Sequence, residues 1–358
     1  MTVRTDIRSL FVMRPAPGRW LIALQAAVAI GIPTVGFAVA GQPQLGLLAS
    51  TGSFTALYLA TNSRHERARW LPFVGLALVA STAIGVLCSS TPVLGAIVLY
   101  LVAVGGSVLC LGFAMGPPGG MFFVLAAGVG MRLAAPVALG GDALPGTLIV
   151  GMVAVGAVIA YLVVVAPLLI PRVRRANAVI EARRPRRRFS IDDTTRVILL
   201  RIAIAGAIAT VVAAPLGEHR LYWVLLSVVA ILQNGHDLRL ATTRGIQRIL
   251  GTLVGIGLFA LVLLWNPRDI VLAFFLAALQ FVVESVVVRN YGLGLIFITP
   301  LALTIAAQGA DVDIAQVTSE RVVDTLIGGA ASLLVVGAAF WLRRRAAGSA
   351  GETARGRS

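Results

Sequence analysis

Residues 145–170 read PGTLIVGMVAVGAVIAYLVVVAPLLI and contain no charged side chain. A bilayer core takes about 20 apolar residues per helix, so this run predicts a membrane-spanning helix. The next stretch is as telling: residues 171–188, PRVRRANAVIEARRPRRR, carry eight arginines against Glu181. Such a strip stays in water at the membrane face, and the positive-inside rule puts it in the cytoplasm. The same alternation of apolar run and arginine-rich stop recurs along the chain.

Of the 358 residues, 58% are hydrophobic and 13% charged, against roughly 45–50% and about 25% in a soluble protein. A soluble domain cannot hide that much apolar surface, and a sizeable soluble catalytic domain is excluded. The net charge of +15 comes from 30 arginines, with no lysine, against 15 acidic residues. In a soluble protein this balance points to nucleic acid; here the arginines fall between apolar runs, and no nucleic-acid partner is expected. Cys88 and Cys110 each lie in an apolar stretch and read as packing residues, with no disulfide framework. The N-terminal arginines precede an apolar run that has no small-residue cleavage site. Ile7, Leu10 and Phe11 share a helical face opposite Arg4 and Arg8, which suits a short helix at the interface.

Apolar runs between breaks predict spans near residues 20–40, 44–61, 70–88, 93–113, 119–134 and 145–170, then 197–216, 221–234, 247–265, 270–288, 291–308 and 322–342. The expected fold class is therefore all-α, a polytopic membrane protein of about twelve transmembrane helices in the cell membrane. With the N-terminus in the cytoplasm, 25 of the 30 arginines collect on that side. Only Arg132, Arg220, Arg268 and Arg321 fall opposite, while Arg201 lies within a span, so both termini are placed in the cytoplasm. An offset of about 175 residues relates the halves. Arg64, Arg67 and Arg69 before the third span answer Arg239, Arg244 and Arg248 before the ninth; Gly75 matches Gly251, and Phe122 matches Phe297. Two six-helix repeats share one topology, so their pseudo-two-fold axis runs along the membrane normal, where repeat-built transporters place their pathway. The expected organisation is an interfacial segment at 1–19, a first repeat at 20–170, an Arg-rich linker at 171–195, a second repeat at 196–342 and a cytoplasmic tail at 343–358.

No catalytic constellation is legible. His65, His219 and His236 lie in or beside loops, and neither H-E-x-x-H nor a phosphate-cradling glycine run occurs, so no enzyme activity, metal or cofactor is expected. Ionisable residues inside spans cost about 2.5–3.5 kcal/mol each at the helix centre and are the natural functional candidates. Arg201, early in the seventh span, either presents its guanidinium to an anion in the pathway or snorkels to the cytoplasmic surface. Arg321 and Asp324 share a face of the twelfth span and read either as an ion pair fixing that helix or as a gate or substrate contact. Glu284, with Gln280 one turn earlier and Arg289 following, is the carboxylate placed within an apolar span. It is the candidate for proton coupling, with a salt bridge to an arginine as the competing reading. Gly251 and Gly255 form a G-x-x-x-G packing face behind the basic entry residues Arg244 and Arg248. Thr299-Pro300 marks freed backbone carbonyls in the eleventh span. Trp70, Trp223 and Trp341 fall near span ends as interfacial anchors, and Trp223 has a second reading as a stacking platform for substrate.

The second half then resembles a known family. Trp223, a polar loop ending in Arg244 to Arg248, Arg248-x-x-Gly251-x-x-x-Gly255, a span led by Tyr291 and containing Thr299, and Arg321-x-x-Asp324-Thr325-x-x-Gly328 come in the order found in fusaric-acid-resistance-like (FUSC) membrane proteins. These are relatives of aromatic acid exporters and plant malate channels. The first half has the same layout with weaker motifs. The resemblance implies six-helix repeats, a basic central pathway, and export of organic, often aromatic, carboxylates. Many bacterial relatives also carry a large soluble domain, in place of which this sequence shows only the linker and a short tail.

The leading expectation is thus a transporter exporting a small organic anion along the repeat interface, as a single chain or an oligomer. One alternative is a divergent major-facilitator transporter, although the loop at 61–69 lacks the Gly-led, Asp-bearing motif expected there. Another is a non-transporting scaffold whose linker binds anionic lipid headgroups or an envelope partner, at about 1 kcal/mol per arginine.

Overall fold

The computed structural model describes residues 10–175, 188–233, 238–306 and 314–355. Among these residues all regular structure is helical. The first half holds α1 (Arg19–Val39), α2 (Pro43–Ser53), α3 (Arg64–Leu87), α4 (Pro92–Gly112), α5 (Met121–Ala134) and α6 (Gly146–Val165). The second holds α7 (Asp193–Ala213), α8 (Glu218–Leu232), α9 (Leu238–Trp265), α10 (Asp269–Val286), α11 (Tyr291–Ala306) and α12 (Ile314–Arg355). Ile7, Arg4 and Arg8 of the expected interfacial helix, and the linker arginines from 183 to 187, lie outside the described residues.

Eight of these helices are long and apolar enough to cross a membrane: α1, α3, α4, α6, α7, α9, α10 and α12. The others are short, with 11 residues in α2, 14 in α5, 15 in α8 and 16 in α11. At about 1.5 Å per residue each falls short of a hydrocarbon core about 30 Å thick. The local sequence explains the shortening. The span expected at 44–61 tightens into a 3₁₀ turn at Phe54–Leu57, then turns extended at Tyr58. Gly116 and Gly119 adopt positive φ and bring the chain round sharply into α5.

Burial places the short helices. Every residue from Leu221 to Gln233 is buried, as is every residue from Gly46 to Leu59, and no residue of α5 is exposed. A helix apolar and buried on all sides sits in a core rather than at a lipid surface. The eight long helices carry the exposed apolar side chains, such as Leu87, Leu101, Val211 and Leu264.

Packing within the two halves matches. In the first half α1 packs on α2 and α6, α2 on α6, α3 on α5 and α6, and α4 on α5. In the second, α7 packs on α8 and α12, α8 on α12, α9 on α11 and α12, and α10 on α11. Contacts between halves also come in answering pairs, α1 with α10 and α4 with α7, α5 with α8 and α2 with α11. The last two differ in closeness. Between α5 and α8 a Cβ on Gly128 would run into the Tyr222 ring, whereas α2 and α11 touch only lightly.

Glycines set the tightest crossings. Gly52 of α2 faces the backbone carbonyl of Val153 in α6, and Gly156 of α6 faces that of Ala49 in α2. In the second half Gly251 lies on Gly292 and Leu295, Gly255 on Thr299, and Gly328 on the Val224 carbonyl and Ser227. Cys88 and Cys110 are both buried and form no disulfide. Because a methyl group at Gly52 or Gly156 meets backbone that cannot move aside, Gly156→Ala is expected to destabilise by about 1–3 kcal/mol. Gly151→Ala on the same helix, with nothing within 4 Å of its Cβ position, should be neutral. Thermal unfolding of both variants in detergent checks this, and equal melting temperatures would disprove it.

Candidate functional site: a central arginine-lined cavity

A cavity of about 340 Å³ lies on the side where α2 and α11 stand apart. Side chains of α2, α5, α8, α9, α10, α11 and α12 line it, together with Arg14 from the chain leading into α1 and Arg19, the first residue of α1. Its middle is largely apolar and aromatic, with Phe54 and Phe122 stacked at 4.3 Å and 16°. Among the described residues five arginines but a single carboxylate, Glu284, line it, a balance that favours anions over cations.

At the end where α12 begins, the Arg321 guanidinium lies 3.5 Å from the centre of the Trp223 ring. Its Nε and Nη1 are buried with no hydrogen-bond partner, and so is Nε1 of Trp223. Residues Arg321, Trp223 and Thr325 all line the cavity. Asp324 is 1% exposed and accepts from Arg220 Nε of α8 at 3.0 Å. The ion pair of this region is thus interhelical, tying α12 to α8, and it leaves both of those Arg321 donors free. A buried guanidinium over an indole face is a stable arrangement for a cation, and unmatched donors beside a cavity are what a carboxylate needs.

At the other end, where α9 begins and α10 ends, Arg248 Nη1 donates to Tyr291 Oη at 3.0 Å. Arg244 stands over the Tyr291 ring, 4.8 Å from its centre. Glu284 occupies the last turn of α10 rather than the middle of a span, because the helix ends at Val286. Its carboxylate is bridged by Arg19 Nη2, and its backbone oxygen accepts from Arg19 Nε at 2.9 Å. The salt bridge weighed for Glu284 is therefore present, with a partner from the first half. One turn deeper, Gln280 is 1% exposed and its Oε1 has no partner.

Of the residues singled out from sequence, the cavity gathers Trp223, Arg244, Arg248, Gln280, Glu284, Thr299 and Arg321. Thr299 spends its hydroxyl on the Leu295 carbonyl at 2.8 Å. Arg201 is buried on α7, 5% exposed, and does not line the cavity. Trp341 is half exposed with Arg345 over its ring at 3.7 Å, as suits an anchor at a span end. Sequence reasoning missed Arg14, Arg19 and Tyr291 as site residues. It also left Arg67 in a loop, whereas Arg67 is 3% exposed and donates to Gln25 Oε1 at 2.6 Å and to the Ala56 carbonyl. The available signal was Ser63-x-x-Glu66: Ser63 Oγ caps α3 by accepting from Glu66 N at 3.1 Å, which starts the helix before Arg67. Among the described residues no group of His, Cys, Asp or Glu is arranged to hold a metal.

A helical chain with eight membrane-length helices enclosing buried short ones is a multi-pass membrane protein. Comparison with known proteins agrees. The family model described as fusaric acid resistance protein-like matches residues 204–335, the half that carries the motif order read from sequence. An uncharacterized membrane protein, YvaC of Bacillus subtilis (strain 168), is 32% identical over 152 residues, 42% of this chain and 24% of that protein. The match thus spans about a quarter of that relative's length. No solved structure matches the chain.

Removing one partner of the Arg220–Asp324 pair strands a charge at a site that is 15% and 2% exposed on the two side chains. Asp324→Asn is expected to cost about 3 kcal/mol, and Arg220→Met with Asp324→Leu distinctly less. A double-mutant cycle on thermal unfolding in detergent measures the difference, and equal losses would refute the pairing.

Proposed function

We propose that this protein is a transporter of the cytoplasmic membrane that exports small organic anions through the central cavity, along the interface of two parallel six-helix repeats with both termini in the cytoplasm. The matched helix pairings within the halves, and the answering contacts between them, support the two-repeat arrangement. The arginine count on either side of the spans supports the orientation, which makes the Arg244 and Arg248 end the cytoplasmic entry. The family description, fusaric acid resistance, names an organic acid and supports that class of substrate.

The observation that carries the reading is Arg321, a buried cation in the wall of the cavity with two nitrogens, Nε and Nη1, that have no hydrogen-bond partner. A charge held inside a membrane protein at such cost is retained for a task, and its geometry fits a carboxylate. Phe54, Phe122 and Trp223 supply an apolar wall that suits an aromatic body on that carboxylate. A potential of 100 mV, negative inside, favours expulsion of a monoanion by about 2.3 kcal/mol, near 50-fold. Such a driving force makes export possible without proton coupling.

The test is efflux of preloaded radiolabelled benzoate derivatives from proteoliposomes under an imposed potential. Wild type is expected to show potential-driven flux, Arg321→Ala to lose it by at least about ten-fold, and Arg321→Lys to keep part of it. No flux above empty liposomes across a panel of organic acids would overturn the assignment.

A further inference from the structure

The chain from Leu10 to Arg19 crosses from the first half to the second before α1 begins. The Leu10 carbonyl accepts from Gln247 Nε2 at 3.0 Å and from Asn290 Nδ2 at 2.8 Å. Val12 offers its carbonyl to the same Asn290 amide at 3.3 Å, and Arg14 N donates to the Arg289 carbonyl at 3.0 Å. Arg19 then engages Glu284 at both its carboxylate and its backbone oxygen. All these partners belong to α9, α10 and the turn that joins α10 to α11, which surround one mouth of the cavity, and both Arg14 and Arg19 line it.

What does not hold the segment is equally informative. Phe11 is 74% exposed, Val12 55% and Met13 52%. No apolar side chain of that stretch is sunk into the bundle, so a few polar bonds and one ion pair fix its place. Segments held this way open at low free energy while the core stays closed. Gly18, at φ +72°, provides the turn by which the strap bends into α1.

The geometry points to a gate: Leu10–Arg19 is a strap across the cytoplasmic mouth of the cavity, and the Arg19–Glu284 ion pair is its latch. This rests on the cavity being the transport route and adds how entry to it is controlled. Opening frees the strap and the Arg19 side chain at the first turn of α1, with α9, α10 and α11 in place, and exposes the Arg244 and Arg248 entry residues to the cytoplasm.

Thiol accessibility tests the gate without requiring transport. In a Cys88→Ala, Cys110→Ala background, Thr252→Cys places a thiol on the cavity wall one turn beyond Arg248. A membrane-impermeant anionic methanethiosulfonate is applied to inverted vesicles, where it meets the cytoplasmic face, and to right-side-out vesicles. Glu284→Gln breaks the latch. Separately, Gln247→Leu with Asn290→Asp releases the Leu10 and Val12 carbonyls while keeping the Asn290 Oδ1 that caps α11 at Leu293 N, 2.9 Å away. Each variant is expected to raise the labelling rate from the cytoplasmic face roughly ten-fold, the weight of one charge-assisted hydrogen bond, and to leave the opposite face unchanged. An unchanged cytoplasmic rate in both variants overturns the gate, as does a rise from both faces, which would mean a loosened bundle. Faster labelling in a protein that moves no anion would sink the transport reading alone, and flux with unaltered labelling would sink the gate alone.

Discussion

A backbone amide or carbonyl left bare in hydrocarbon costs several kcal/mol, so nothing irregular can face lipid. The whole arrangement derives from that constraint. Four helices too short to span the bilayer leave their ends, and the turns beside them, at membrane depth, and those groups must be satisfied by protein. The eight long helices supply the wall, and specific side chains supply the partners. Tyr58 Oη donates to the Gly119 carbonyl at 2.7 Å and Gln233 Oε1 accepts from Gly120 N at 2.8 Å, so the break before α5 is held from both halves. Tyr58 and Gln233 stand 175 positions apart, each just beyond the short helix of its own half. In the first half Arg67 serves the Ala56 carbonyl in the 3₁₀ turn after α2. Short helices kept apart from lipid also make room for a cavity, since broken helices rarely fill the space that a straight one would.

The two halves share their packing but not their charges. At the offset of about 175 residues, Arg321 falls opposite Gly146 and Asp324 opposite Ile149, so the cationic centre over Trp223 belongs to the second half alone. The other end of the cavity combines both halves, because Arg14 and Arg19 reach it from just before α1 and from its first residue. The closeness of α5 to α8 and the looseness of α2 against α11 obey the same division. Gly128 admits the Tyr222 ring on one side. On the other, Phe54 and Phe122 turn their rings to each other and leave open space beyond them.

Helix placement was legible in the sequence because apolar runs and arginine stops act locally. The run at 145–170 became α6 and its trailing 3₁₀ turn with little adjustment. Helix length was harder to read: α2 gives way after Ser53 to the 3₁₀ turn without a proline or a positive-φ glycine to mark the place. Among candidate site residues, Arg321, Trp223 and Glu284 were singled out because a charge or an indole in an apolar run stands out. Their partners were not, because Arg220–Asp324 and Arg19–Glu284 join positions 104 and 265 residues apart, and no local pattern encodes such a meeting. Arg201 shows the converse: equally conspicuous in the sequence, it lies on α7, a helix that gives no side chain to the cavity wall.

The indole of Trp223 has one more consequence. With the Arg321 guanidinium 3.5 Å above its centre, the ring sits in the field of a cation that has no other partner at Nε or Nη1. On the proposed function, an anion settling beside Arg321 offsets that field and draws the guanidinium toward itself. The excited state of an indole is sensitive to both changes, so on that reading this tryptophan is an optical gauge of occupancy built into the wall of the cavity.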